Sequence, residues 1–157
     1  MGYNARRMPS VLRKALHDAV AASGGPGAVA YVGHRDETVF WEAAGALRRV
    51  PDARATARDT LYDLASLTKT VGTTTAVMLL RDRGVLDLDQ PVYEWLPAAG
   101  FRRFTLRHCL THTAGLPSGL PFWKDASSLL EMLARYAAAP LAAEPGTRRV
   151  YSDVGFM

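Results

Sequence analysis

The apolar positions of this chain fall into helical repeats and short β-rich runs. From Ser10 to about Ala22, the residues Val11, Leu12, Ala15, Leu16, Ala19 and Val20 repeat at helical spacing, and Ser10 is placed to cap the helix they predict. Ser23-Gly24-Gly25-Pro26-Gly27 ends that pattern. The β-rich run from Ala28 to Val32, the polar turn from Gly33 to Glu37 and the run from Thr38 to Gly45 predict an antiparallel hairpin. Residues 48 to 60 are polar and read as a loop. Helical spacing returns from about Ala65 to Arg83 and stops at Gly84. No charge falls between Val71 and Leu80, so this helix is expected to be buried nearly all round. Thr105 caps a short helix reaching Leu110, and Ser127 opens another that runs to about Ala139, just before Pro140. Near the end, Ser152 or Asp153 is placed to cap one more helical turn holding Val154, Phe156 and Met157.

Two features of this pattern point the same way. A lone hairpin is marginal in water, and the remaining pattern offers no convincing third strand. The final apolar turn has nothing after it to bury it. The expectation is that further sequence follows Met157, and that the chain alone exposes a strand edge that invites aggregation.

Composition narrows the classes. With 157 residues, 48% hydrophobic and 22% charged, the chain is long and apolar enough for one folded domain with a core. The net charge is +4, but the basic residues are scattered in singles and pairs with acids between them, so nucleic acid is not an expected partner. Cys109 is the single cysteine; it lies between Leu106 and Leu110 and is expected to be a buried apolar residue, and no disulfide framework is possible. The N-terminus lacks an apolar leader core, and Arg6 stands where a myristoylation signal wants Ser or Thr. No apolar run is long enough to span a bilayer. A cytoplasmic protein without a membrane partner is expected. Gly25-x-Gly27 lacks the third glycine and the helix of a dinucleotide loop. Trp41, Trp95 and Trp123 are too dispersed for a stacking platform and are expected in the core or at its rim.

Candidate chemistry begins at Ser66 and Lys69. The chain has 16 Arg and only 3 Lys, so a lysine three residues after a serine stands out. Seven serines and three lysines give about 0.13 such pairs by chance. Residues i and i+3 share one helix face. A serine hydroxyl needs a base to become a nucleophile. Arginine does not give up its proton in a protein, whereas lysine does if burial and positive potential lower its pKa. The competing role is a serine cap beside a solvated or ion-paired lysine. His108 and His112 have a zinc-like i, i+4 spacing, but no Glu follows His108.

The stretch Leu61-Tyr-Asp-Leu-Ala-Ser-Leu-Thr-Lys-Thr70 resembles the nucleophile motif of the serine β-lactamase and penicillin-binding protein superfamily, in its class C β-lactamase-like branch of esterases and D-amino-acid peptidases. Three further stretches are similar in the same order. They are Gly84-Val-Leu-Asp-Leu-Asp-Gln-Pro-Val92, Phe104-Thr-Leu-Arg-His-Cys-Leu-Thr-His-Thr-Ala-Gly-Leu-Pro117 and Glu144-Pro-Gly-Thr-Arg-Arg-Val-Tyr-Ser-Asp-Val-Gly-Phe-Met157. The resemblance runs from about residue 10 to the last residue and implies one α+β domain, an antiparallel sheet flanked by helices plus a helical region, of which residues 10–157 are the N-terminal part.

Carried onto this chain, the resemblance makes Ser66 the acyl-accepting nucleophile, Lys69 its proton acceptor or charge partner, and Tyr151 a second proton shuttle; which of the two takes the serine proton stays open. The implied substrate is a small ester or amide, with no cofactor and no metal, and His108 and His112 are structural. Two departures are visible. The family's Tyr-x-Asn is Tyr151-Ser152-Asp153 here. An ionised Asp only accepts hydrogen bonds, so Asp153, the expected substrate-binding position, disfavours β-lactams and favours esters; its other expected roles are a helix cap and an ion pair with Lys69 or a nearby Arg. The third motif, Lys-Thr-Gly or His-x-Gly on a later strand that also supplies an oxyanion donor, is not reached; losing one such donor costs about 10²–10³ in rate. The alternative is therefore a catalytically incomplete piece, or a relative that binds or is acylated without turnover.

Overall fold

A computed structural model describes residues 8–48 and 50–157, apart from the side chains of Ala99 and Trp123. The expectations for the N-terminal leader, for Arg6 and for the Trp123 side chain lie outside the described residues. The chain divides into two compact units, one ending at Asp63 and one running from Leu64 to Met157.

The first unit is a helix laid on a hairpin. Helix α1 (Met8–Ser23) contains Ser10 within its first turn rather than at its cap. Strands β1 (Gly27–His34) and β2 (Glu37–Arg48) pair antiparallel, with Tyr31 opposite Trp41 and Ala28 opposite Ala44. The hairpin expected from the two β-rich runs and their polar turn is thus present, with longer strands. The stretch expected to be only a loop contributes a two-residue strand, β3 (Arg54–Ala55), which pairs with β2. So short a strand has no periodicity for a pattern to reveal; backbone pairing alone defines it. Leu16 of α1 meets Phe40 and Ala44 of β2, with Leu12, Val20, Ala28 and Ala30 around them. Arg13 closes this contact with a two-pronged ion pair to Glu42, one arm being 2.7 Å from Nε to Oε2. Trp41 is 44% exposed and sits edge-on to Tyr31, a rim position rather than a core one.

The second unit is built on Val92, Phe101, Phe104, Cys109, Ala114 and Leu116, against which Leu106, Leu133, Leu141 and Val154 pack. Helix α3 (Leu106–Leu110) begins as its sequence predicts. Thr105 Oγ1 accepts from the His108 N–H, and His108 Nδ1 accepts in return from the Thr105 N–H. His108 is therefore a capping residue. Arg107 grips Asp89 with two bonds of 2.6 and 2.7 Å, tying α3 to the preceding turn. Helix α4 (Leu129–Ala138) is capped by Ser128 Oγ, one residue later than expected, while Ser127 binds the Glu131 carboxylate. That contact, the Ser127 N–H and Arg135 bring the Glu131 pKa down to about 2.

Cys109 is buried as expected, and burial pushes its thiol pKa up to about 12. The folded chain is expected to ignore a disulfide-exchange reagent at mildly alkaline pH and to react once denaturant is added. A fast native-state reaction would contradict this packing.

The long helix expected from Ala65 to Arg83 is broken up. Residues 65–66 form a turn, Lys69–Thr74 is a π-helical segment, and only Thr75–Asp82 is a regular helix, α2. The Val71-Gly72-Thr73-Thr74-Thr75 run explains the loosening, since glycine and β-branched residues are poor α-helix formers. Thr75 Oγ1 donates to the Thr70 carbonyl five residues back, at 3.1 Å. Nor is the segment buried all round. Thr73, Thr74, Val77 and Met78 are half-buried, whereas Val71 is 62% and Leu79 is 51% exposed. The lack of charge describes the surface of the helix, but burial also needs an element to cover it. Among the described residues only the Thr73 and Val77 side is covered.

Candidate active site

Ser66 reaches its place through a local backbone distortion. Ala65, immediately before it, has φ of +44°, a left-handed conformation that costs a non-glycine residue about 1–3 kcal/mol and is commonest at functional sites. The turn then tightens. The N–H of Lys69 donates to the Ser66 carbonyl at 3.1 Å, so both side chains leave the same side of the chain. Lys69 Nζ lies 3.2 Å from Ser66 Oγ. The i, i+3 spacing thus does bring the two together, on a turn leading into the π-helical segment rather than on an α-helix.

The third group comes from 85 positions away. Tyr151 Oη is 2.8 Å from Ser66 Oγ. Its backbone is held by the loop His112 to Ser118. The N–H of Val150 donates to the His112 carbonyl at 2.8 Å, and the N–H of Ser152 donates to His112 Nδ1 at 3.1 Å. Ser152 Oγ donates to the Pro117 carbonyl at 2.7 Å and accepts from the Gly155 N–H at 3.3 Å. The Asp153 N–H donates to the Ser118 carbonyl at 3.2 Å. Ser152, 97% buried in this clamp, is therefore the side chain that caps the final turn, Val154–Phe156, while Asp153 makes no capping bond. The loop can pass this close to the chain only because Gly115 has φ of +74° and a Cβ there would lie 1.9 Å from the Ala143 carbonyl oxygen. Gly115→Ala is expected to destabilise the second unit by at least about 1–3 kcal/mol from backbone strain, read as a lower denaturation midpoint; an unchanged midpoint would disprove the close approach.

Asp153 turns back toward the lysine. Its Oδ1 is 2.6 Å from Lys69 Nζ, with the lysine side chain 17% exposed and the aspartate side chain 61% exposed. The hydrogen bond from Lys69 to Asp153 raises the lysine pKa, against a smaller opposing effect of burial. The lowered lysine pKa expected from burial and a helix end is therefore not found, because a carboxylate occupies the place where only neutral or positive groups would lower it. The tyrosine moves the other way. The hydrogen bonds to Ser66 and Lys69 hold its pKa below the usual phenol value.

The four residues singled out in the sequence, Ser66, Lys69, Tyr151 and Asp153, thus form one cluster. The expected ion pair of Asp153 with Lys69 is present. Sequence reasoning assigned His112 to a structural background and missed its place against Tyr151: the two rings are 4.5 Å apart between centroids, and the His112 ring also packs on Phe156 at 5.1 Å. An apolar cavity of about 230 Å³ lies among Thr73, Val77, Phe104, Leu116 and Phe156. None of Ser66, Lys69, Tyr151 and Asp153 lines it, whereas Asp153 borders a second, more open hollow beside Gly119, Leu120 and Tyr136.

Residues 12–157 match the beta-lactamase family. Over 94% of its length the chain is 35% identical to esterase EstB of Burkholderia gladioli and covers 42% of that protein. EstCE1, a hydrolase with promiscuous acyltransferase activity, superposes with a TM-score of 0.76 at 27% identity, over 94% of this chain and 44% of its own. A mutant class C beta-lactamase superposes with a TM-score of 0.77 at 25% identity, over 98% of this chain and 43% of its own. The α+β fold inferred from sequence is thus that of the β-lactamase and transpeptidase-like proteins, and the chain spans less than half the length of each of these relatives. The serine, lysine and tyrosine that meet in space all lie inside the matched span, and the chain belongs to the beta-lactamase family.

Proposed function

We propose that this chain carries the acylation centre of a serine hydrolase acting on a small ester or amide. The observation that carries the reading is that Ser66 Oγ is within hydrogen-bond reach of both Lys69 Nζ, at 3.2 Å, and Tyr151 Oη, at 2.8 Å. In the proposed cycle Tyr151, as phenolate, takes the Ser66 proton while Ser66 Oγ forms a bond to the substrate carbonyl carbon. The bond to the leaving alcohol or amine then breaks, and the Tyr151 proton passes to that leaving group. Water releases the acyl group from Ser66 by the same exchange. Lys69, kept charged by Asp153, stabilises the phenolate rather than acting as the base. Asp153 offers no donor to a β-lactam side chain, which favours esters, and the resemblance to an esterase over 94% of the chain supports the same preference. Among the described residues no helix is long and apolar enough to cross a membrane.

The test is intact-mass analysis after exposure to a fluorophosphonate, beside turnover of a nitrophenyl ester and a chromogenic β-lactam. One adduct per chain is expected, with the ester consumed faster than the β-lactam. An unlabelled chain would overturn the acylation centre. Labelling without turnover would assign this span, which covers 42% of its esterase relative, the acylation step alone.

A further inference from the structure

We propose that His112 is a positioning residue that sets the Tyr151 phenol against Ser66, an inference that rests on Tyr151 being the proton acceptor. His112 brackets the tyrosine in the chain: its carbonyl accepts from the residue before Tyr151, at 2.8 Å, and its Nδ1 accepts from the residue after, at 3.1 Å. Its own N–H is fixed by the Cys109 carbonyl at 3.1 Å, so the anchor is tied to α3. The ring then lies along the phenol, tilted by 31°. One main-chain bond, one bond from a main-chain N–H to the His112 ring and one ring contact thus define where Tyr151 leaves the backbone and which way its ring faces.

The Nδ1 contact works only while that nitrogen is unprotonated, which places the proton of neutral His112 on Nε2. The surroundings favour the neutral form. Burial lowers the His112 pKa, Arg149 and Lys69 lower it further, and Asp153 opposes them. Tyr151 packs on the ring itself. The backbone of His112 is left-handed, with φ of +59°, a conformation that Asn tolerates well among side chains and that Gly adopts freely.

That conformation selects the test. His112→Asn keeps a side-chain acceptor on a short arm; His112→Gly fits the same backbone and removes the acceptor. Both variants keep the carbonyl that holds Val150. The first readout is the titration of Tyr151 by NMR of ring-labelled tyrosine, assigned with Tyr151→Phe, and it needs no activity. The second is the rate of fluorophosphonate labelling. In His112→Gly the Tyr151 pKa is expected to rise toward the ordinary phenol value as the ring leaves Ser66 and Lys69, with labelling slowed on the order of 10²-fold, the size of effect that follows misplacement by about 1 Å. In His112→Asn, which keeps the acceptor but loses the ring contact, both are expected to change clearly less than in His112→Gly. A wild-type titration in His112→Gly, or equal damage in both variants, would overturn the role of His112. A wild-type chain that does not label would overturn the acylation reading instead, and the titration would then decide on His112 alone.

Discussion

Ser66→Ala is expected to abolish fluorophosphonate labelling of this chain and to lower any ester turnover by on the order of 10⁶-fold, the scale seen when the nucleophile of a serine hydrolase is removed. The reason is covalent. Ser66 Oγ is the atom that would bond to the acyl carbon, and among the described residues it is the serine hydroxyl within hydrogen-bond reach of Lys69 Nζ, at 3.2 Å, and of Tyr151 Oη, at 2.8 Å. Ser152 is the nearest serine in sequence to Tyr151, but its hydroxyl is committed to the Pro117 carbonyl at 2.7 Å and is buried. Ser152→Ala is therefore expected to keep labelling while losing stability. Intact mass separates the two cases: an adduct that persists in Ser66→Ala would move the nucleophile elsewhere and dissolve the proposed cycle.

The second large effect concerns proton transfer. Tyr151→Phe is expected to slow labelling by about 10²–10⁴-fold, the usual contribution of a positioned acid–base group. The pH dependence carries more information than the size. Only phenolate accepts the serine proton, so labelling should rise as pH climbs through the lowered Tyr151 pKa. It should fall again as pH passes the raised Lys69 pKa, where the charge that stabilises phenolate disappears. Asp153→Asn removes the main cause of the raised lysine value, and it also removes a charge that opposes ionisation of Tyr151. Both limbs should therefore shift to lower pH in that variant. An alkaline limb that stays where it is would show that Asp153 does not control Lys69. The same pair has a stability consequence. Because the folded lysine pKa is raised, the contribution of the pair is complete below the unfolded lysine value and is lost as pH rises through the folded one.

Several parts of this architecture were legible before any coordinates. The hairpin was, because two β-rich runs joined by a short polar turn can pair with each other locally. So was the start of α3, because the Thr105 hydroxyl can cap the helix that follows it; the returning bond to His108 was seen only in the structure. Local chemistry sufficed in both cases. The two-residue strand β3 and the exposure of Val71 and Leu79 were not legible. The first depends on a partner strand and the second on what covers a surface, and neither is encoded by the segment itself.

The site divides along the same line. The residue types and the three-residue spacing of Ser66 and Lys69 follow from sequence, since adjacent turns must place i and i+3 side by side. Likeness of motif selected Tyr151. Tertiary structure alone decided that Tyr151 Oη stands 2.8 Å from Ser66 Oγ although 85 positions separate them along the chain, that His112 bonds the residues on either side of Tyr151, and that Asp153 reaches Lys69 at 2.6 Å. It also set the direction of both shifts, raising the lysine pKa and lowering the tyrosine pKa. The physical reason is that a proton's position depends on the charges and donors within a few ångströms through space. Sequence lists those groups, but only the folded chain sets the distances between them.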